Sequence, residues 1–216
     1  EMCIRDSNTN MAANECFLDS ATLRENVVSL ARNIGYVPRS RRSARAKISF
    51  NVSGLTETST LTLNSGVVCN GAGDNTNYIF CIPEDITVPV TNGFAEFNNI
   101  EIYEGVFVSE NFTVDTSLFN QRYILDNSFI DTSTIKIKVK SSSTATSSVT
   151  YKQIDNIVGV TSTSNSYLLQ EIEDERYELI FGDNVIGRKL SNNNYITASY
   201  IVTDGKDGNG ASEFSF

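Results

Sequence analysis

From Lys47 to the C-terminus, short runs of the chain alternate apolar and polar residues with a period of two. The runs are KISFNV (47–52), TLTL (60–63), FAEF (94–97), IEIYEGVFV (100–108), IKIKVK (135–140), YELIF (177–181) and YITASYIV (195–202). Successive side chains of an extended strand point to opposite faces, so each run reads as a half-buried strand. In IKIKVK, Ile135, Ile137 and Val139 share one face and three lysines the other, which describes an edge or solvent-facing strand. Turn-forming pairs, Ser53-Gly54, Ser65-Gly66, Asn92-Gly93 and Asn98-Asn99, separate several runs. With 40% hydrophobic and 20% charged residues, the chain belongs to the globular class rather than the disordered one.

One segment reads differently. In DSATLRENVVSLARNIGY, Leu23, Val27, Leu30, Ala31 and Ile34 form a single apolar stripe at helical spacing. Ser20 is a candidate N-cap, Thr22 and Glu25 form an alternative capping box, and Gly35 followed by Pro38 supplies the stop. The predicted fold is therefore mainly β with one N-terminal amphipathic helix and two β-rich modules, sandwich-like and mostly antiparallel. Residues 1–10 read as a non-native or disordered tail, set aside from fold reasoning because EMCIRDS is unlike the rest. Residues 11–46 hold the helix and a basic loop. Residues 47–140 form a first β-rich module, 141–150 a Ser/Thr-rich linker, and 151–216 a second β-rich module. The strand pattern runs up to Phe216, so the expectation is an internal fragment of a longer protein.

Composition removes much chemistry. There is no His, so a Ser-His-Asp triad, a Cys-His dyad or an HExxH zinc site cannot be built from this chain. Cys3, Cys16, Cys69 and Cys81 make no CxxC pair. Cys69 and Cys81 flank a turn-rich segment and could face each other across a hairpin, but free thiols are the reading preferred. Asn51-Val-Ser and Asn111-Phe-Thr fit the glycosylation sequon by chance. No apolar run of about 18 residues exists, so no membrane partner is expected. The net charge of −9 is uneven: residues 24–47 carry seven basic residues against Glu25, a local +6, which leaves −15 elsewhere. A basic hook on an acidic body suits contact with another protein's acidic surface or with a copy of itself. The hook lacks the aromatic stacking partners of a nucleic-acid site, so no nucleic-acid partner is expected.

Three glycine-bearing loops were candidates for chemistry. NGAGDNTN (70–77) lacks the helix that a dinucleotide loop requires. DGKDGNG (204–210) offers Asp204, Asp207 and Asn209 as oxygen ligands for Ca2+ but lacks an EF-hand's spacing, and a glycine-rich turn is preferred. FGDNVIGRKL (181–190) has the spacing GxxxxG, then Arg188-Lys189 instead of a P-loop's Lys-Ser/Thr. It reads as a structural turn built on Gly182, Asp183, Asn184 and Gly187, with Gly or Asn at positive φ. No catalytic, cofactor-binding or metal residues are assigned, and the chain is expected not to be an enzyme.

Together these segments resemble one family. Asn14 through Ala46 resembles the NExFLxxAxxRxNV helix and GYxPRSxxxAxA loop of the baseplate wedge subunit of contractile-tailed, myovirus-type bacteriophages, the baseplate J-like proteins. FNNIEIYEGVFVSENFTVD and YILDNSFIDTSTIKIKV are similar to its EG-containing and N-x-x-ID-T-S strands. The segment from YLLQ to DGNG is similar to its FGDGxxG turn and the stretch that follows. Asn184 stands where the family usually has Gly; Asn tolerates the left-handed region, so the turn is expected to survive.

The resemblance implies a structural, non-enzymatic part of the virion's tail baseplate, assembled in the host cytoplasm. It implies a second copy of the chain and other wedge proteins as partners, joined into a ring around the tail tube that relays the trigger for sheath contraction. Arg39, Arg41, Arg42 and Arg45 would then be interface residues. The rival reading is a carbohydrate- or receptor-binding β-module of a tail or adhesin, which would need exposed aromatic platforms.

Overall fold

The computed structural model describes residues 9, 13–17, 19–33, 40–56, 59–73, 76–154, 158–172 and 175–216. Arg39, Ile34, Gly35 and Pro38, and residues 1–8 of the expected tail, lie outside the described residues.

The helix, α1, spans Arg24–Asn33 and starts later than Ser20 would place it. Ser20 instead donates its hydroxyl to Asn14 O at 2.6 Å. The start of the helix is organised by Glu15, whose carboxylate accepts from Thr22 N (2.9 Å), Thr22 Oγ1 (2.7 Å), Leu23 N (3.3 Å) and Asn26 Nδ2 (2.8 Å). The carboxylate holds the two N–H groups just ahead of α1 and the Asn26 side-chain amide of its first turn, and it suits the positive end of the helix. The bond from Asn26, then those from Thr22, lower the Glu15 carboxyl to about 2. Val28 and Ala31 are buried, whereas Leu23 is exposed, so the apolar stripe is narrower than its sequence spacing.

The rest is β-structure in two sheets. The first holds β1 (Arg45–Ser53), β2 (Thr60–Leu63), β3 (Gly66–Gly73), β4 (Thr76–Ile82), β5 (Ile86–Thr91), β6 (Phe94–Glu104) and the late strand β14 (Glu213–Ser215). Its order is β14-β3-β4-β6-β5-β2, with β1 also antiparallel to β6. Asn92 and Gly93 take φ of 54° and 77°, as a two-residue hairpin turn between β5 and β6 demands. Asn98-Asn99 does not separate two strands. The register slips by one residue opposite Ser49, Asn99 takes φ 54°, and its N–H donates to Ser49 Oγ at 2.9 Å. The pair is therefore a bulge, and FAEF and IEIYE belong to one strand. Phe80, Ile82, Phe97 and Ile102 anchor this sheet's core.

The second sheet holds β7 (Val106–Thr113), β8 (Tyr123–Leu125), β9 (Lys136–Lys140), β10 (Ser148–Gln153), β11 (Ser166–Glu171), β12 (Tyr177–Phe181) and β13 (Tyr195–Val202). Its order is β7-β13-β9-β10-β11-β12-β8, antiparallel except for β10 and β11. The sheet curls until β8 stands near β7. Phe112 and Tyr123 meet edge to face at 5.8 Å, and Gln121 Nε2 donates to Thr113 O at 2.8 Å. Leu125, Ile130, Ile137, Leu179, Ile196 and Tyr200 fill the interior. At about 1.5–3 kcal/mol for each large apolar side chain buried, this core and that of the first sheet each hold their own sheet together.

Two boundaries differ from the sequence reading. Residues 141–147 connect β9 to β10, which pair from Lys140 and Ser148 inward, so the Ser/Thr-rich stretch lies within one sheet. The sheets divide at Gly105 instead, between β6 and β7, in the middle of IEIYEGVFV. Gly105 has φ +131°, and a Cβ there would stand 2.3 Å from Val202 O. Only glycine lets the backbone turn and pass this close to β13.

Candidate functional site

The point where the sheets meet is built from three passages of chain. The basic loop enters first. Asp131, fully buried, accepts from Ser43 N (2.9 Å) through one carboxylate oxygen and from Ser133 N (3.0 Å) and Ser133 Oγ (2.6 Å) through the other. It caps a 3-10 turn, Thr132–Thr134, whose Thr134 hydroxyl accepts from Ile201 N at 3.0 Å. Ser40 Oγ accepts from Thr132 N at 3.1 Å. Arg45 Nη2 donates to Ser133 Oγ at 2.9 Å, and the Arg41 guanidinium lies 3.8 Å from the centroid of the Phe129 ring. Arg45 also lies over Tyr103 and 4.0 Å from Glu101. Two of the four basic residues singled out in the sequence thus grip the chain's own second sheet. Arg42 is exposed beside them.

Glu104 closes the joint. It is 2% exposed, its N–H donates to Ala44 O at 2.9 Å, and its carboxylate accepts from Thr203 Oγ1 at 2.6 Å. Gly208 packs on it so closely that a Cβ would stand 2.5 Å from Glu104 Cγ. Burial raises the Glu104 carboxyl, the bond from Thr203 opposes this, and the charges of Asp204 and Asp207 add to the rise while the Asp204 N–H counters it. Gly208 belongs to DGKDGNG, where Gly205–Gly208 forms a second 3-10 turn. Its role here is packing against the joint. Among the described residues, no cluster of three acidic or thiol side chains could hold a metal ion.

The FGDN turn lies elsewhere in the second sheet. Asp183 Oδ1 accepts from Val185 N and Ile186 N, both at 2.9 Å, and these bonds lower its carboxyl. Asn184 takes φ 72°, and its Oδ1 accepts from Lys189 N at 3.0 Å. Gly187 takes φ +82°, and its N–H donates to Thr161 O at 3.1 Å. A Cβ on Gly182 would meet Gly187 C at 2.2 Å, so the two glycines are in backbone contact. Beside this turn a pocket of about 320 Å³ is lined by Asp115, Gln121, Tyr123, Phe181 and Lys189 among others. Phe119, next to the lining residue Leu118, is 94% exposed.

Cys69 and Cys81 are buried free thiols. Burial raises both, Cys81 to about 11. Sequence reasoning missed Asp131, Glu104 and Glu15. The one signal for Asp131 was its place in the IDTS motif, beside a Ser-rich basic loop that needed an acceptor.

No family model matches the chain. A relative that matches is the baseplate wedge protein gp6 of Enterobacteria phage T4, 26% identical over 225 residues. This chain is similar to a phage baseplate wedge protein. The likeness covers 96% of the chain, which spans about a third, 33%, of the relative's length. The likeness to the wedge protein therefore takes in both sheets, the joint and the FGDN turn.

Proposed function

We propose that the chain is a structural, non-enzymatic component of a phage tail baseplate, assembled in the host cytoplasm. In this reading it joins other wedge subunits, including a second copy of itself, into a ring around the tail tube, and it relays the trigger for sheath contraction. The observation that carries the reading is the likeness to a wedge protein along 96% of the chain. The joint supports it physically: buried Asp131 and Glu104 tie the two sheets together, as a load-transmitting part requires. Exposed Arg42, beside the joint, then faces a neighbouring subunit together with Arg41.

The test is co-expression of the gene with its neighbouring tail genes, followed by affinity purification and native mass measurement. A stoichiometric complex with two copies of this chain supports the reading. A stable lone monomer overturns it. Reversing the charge of Arg41 and Arg42 is expected to block assembly, and intact assembly would remove these residues from the interface.

One observation favours a second reading, a receptor- or carbohydrate-binding module: exposed Phe119 beside the pocket that Asp115 and Gln121 line. An aromatic face next to carboxylate and amide groups suits a sugar. Glycan-array binding that Phe119→Ala abolishes would move this reading to the front.

A further inference from the structure

The outward face of the second sheet segregates charge. β9 lies inside the sheet, between β13 and β10, so its lysines do not blunt an edge. Lys140 is flanked by Tyr195 and Ser148, Lys138 by Thr197 and Thr150, and Lys136 by Ser199. Beyond β13, Thr113, Asn111 and Ser109 continue the rows on β7. Lys152 shares this face on β10 and is exposed. The field therefore holds four lysines among hydroxyl and amide groups and no acid, in a chain with 26 Asp and Glu against 17 Lys and Arg.

Same-face neighbours on a strand stand about 7 Å apart, where like charges repel. Such a ladder is relieved by carboxylates laid across it. The molecule shows this once: Glu84, in the turn between β4 and β5, reaches Lys136 at 3.1 Å. Asp85 follows it, its carboxyl lowered chiefly by bonds from Ser65, with Lys138 contributing. Beyond that turn, among the described residues, no carboxylate stands within ion-pair distance of Lys138, Lys140 or Lys152.

We propose that this lysine and hydroxyl face is a docking surface for a carboxylate-rich protein segment on a partner subunit. The lysines supply the attraction and the Ser, Thr and Asn side chains fix the position by hydrogen bonds. A nucleic acid fits less well. Tyr195 is the sole aromatic in the field, so there is no stacking platform for bases. The surface rests on the assembly reading for the existence of a partner. Its test uses no assembly partner, so either can fail alone.

The probe is a fluorescein-labelled ten-residue peptide of alternating Glu and Ser, titrated with the full chain by anisotropy at low and at physiological salt. Binding that weakens with salt is expected. Lys138→Gln with Lys140→Gln should weaken it by about tenfold, while Lys206→Gln, off the face, should change it by less than about twofold. Unchanged melting of the variants shows that they fold. Absence of binding at low salt, equal loss in Lys206→Gln, or stronger competition by a single-stranded oligonucleotide of the same charge would overturn the proposal.

Discussion

Asp131→Ala tests the account of the joint. The wild-type carboxylate accepts two backbone N–H groups, from Ser43 and Ser133, and one hydroxyl. Ser43 is 6% exposed, so water cannot readily replace the lost acceptor. A buried donor left unsatisfied costs about 1–3 kcal/mol, and loss of a cap about 1 kcal/mol more. The expected total is about 2–4 kcal/mol. For a chain of this size, each kcal/mol lowers Tm by about 2–4 °C, giving a fall of roughly 4–16 °C. Calorimetry or circular dichroism on heating measures it. Asp183→Ala is the comparator. It also removes the acceptor for two backbone N–H groups, but in an exposed turn where water replaces it, so a cost below about 1 kcal/mol is expected. Limited trypsin cleavage after Arg41 and Arg42 should also quicken in Asp131→Ala, because the basic loop loses its anchor. A Tm fall below about 3 °C, or one matched by Asp183→Ala, would refute the reasoning.

Gly105→Ala should destabilise by more than about 2 kcal/mol, read from the denaturant midpoint, because its Cβ would collide with Val202 O at 2.3 Å and its φ is +131°; a neutral result would mean that the crossing between sheets is slack. The Glu104 carboxyl is raised above its ordinary 4.5 by burial, so its contribution to stability is fully present below that pH and is lost as pH rises through the raised value. Glu104→Gln removes that loss, and a stability difference between the two proteins that stays constant from about pH 4 to 7 would contradict the assignment. Ser43 Oγ is buried without a hydrogen-bond partner among the described residues, so Ser43→Ala should be neutral or slightly stabilising, and a Tm drop of several degrees would point to a missed partner. Among Cys16, Cys69 and Cys81, Cys16 alone should react quickly with a thiol reagent in the native protein, as peptide mapping after alkylation would report.

The strands were legible because period-two alternation is a local property: β1, β2, β9, β12 and β13 lie where KISFNV, TLTL, IKIKVK, YELIF and YITASYIV placed them. What alternation does not carry is the partner of each strand. IEIYEGVFV reads as one strand, yet it serves two sheets, because the close approach of Val202 to Gly105 comes from a residue almost a hundred positions away. The Ser/Thr-rich stretch reads as a linker because polarity is common to linkers and hairpin connections; the pairing of Lys140 with Ser148 decides between them. The helix start eluded local capping rules for a similar reason. Its acceptor, Glu15, lies seven residues before Thr22 rather than at the N-cap. The FGDN turn draws on both local and distant residues: Asp183 and Asn184 bond to residues of the turn itself, whereas Gly187 N–H donates to Thr161 O on a distant stretch of chain.

The joint has a consequence for how this molecule comes apart. The sheets have separate cores, which by itself would let one melt while the other stays intact. Yet the loop leading to β1, the crossing at Gly105 and the return after β13 converge on Glu104, through Ala44 O, its own backbone and Thr203 Oγ1. Losing the first sheet would strip Asp131 of Ser43 and Thr203 of its acceptor, and the second sheet would exchange these buried bonds for water and expose the surface that the joint covers. Each half thus raises the cost of the other's partial unfolding, and the two cores are expected to melt in a single transition.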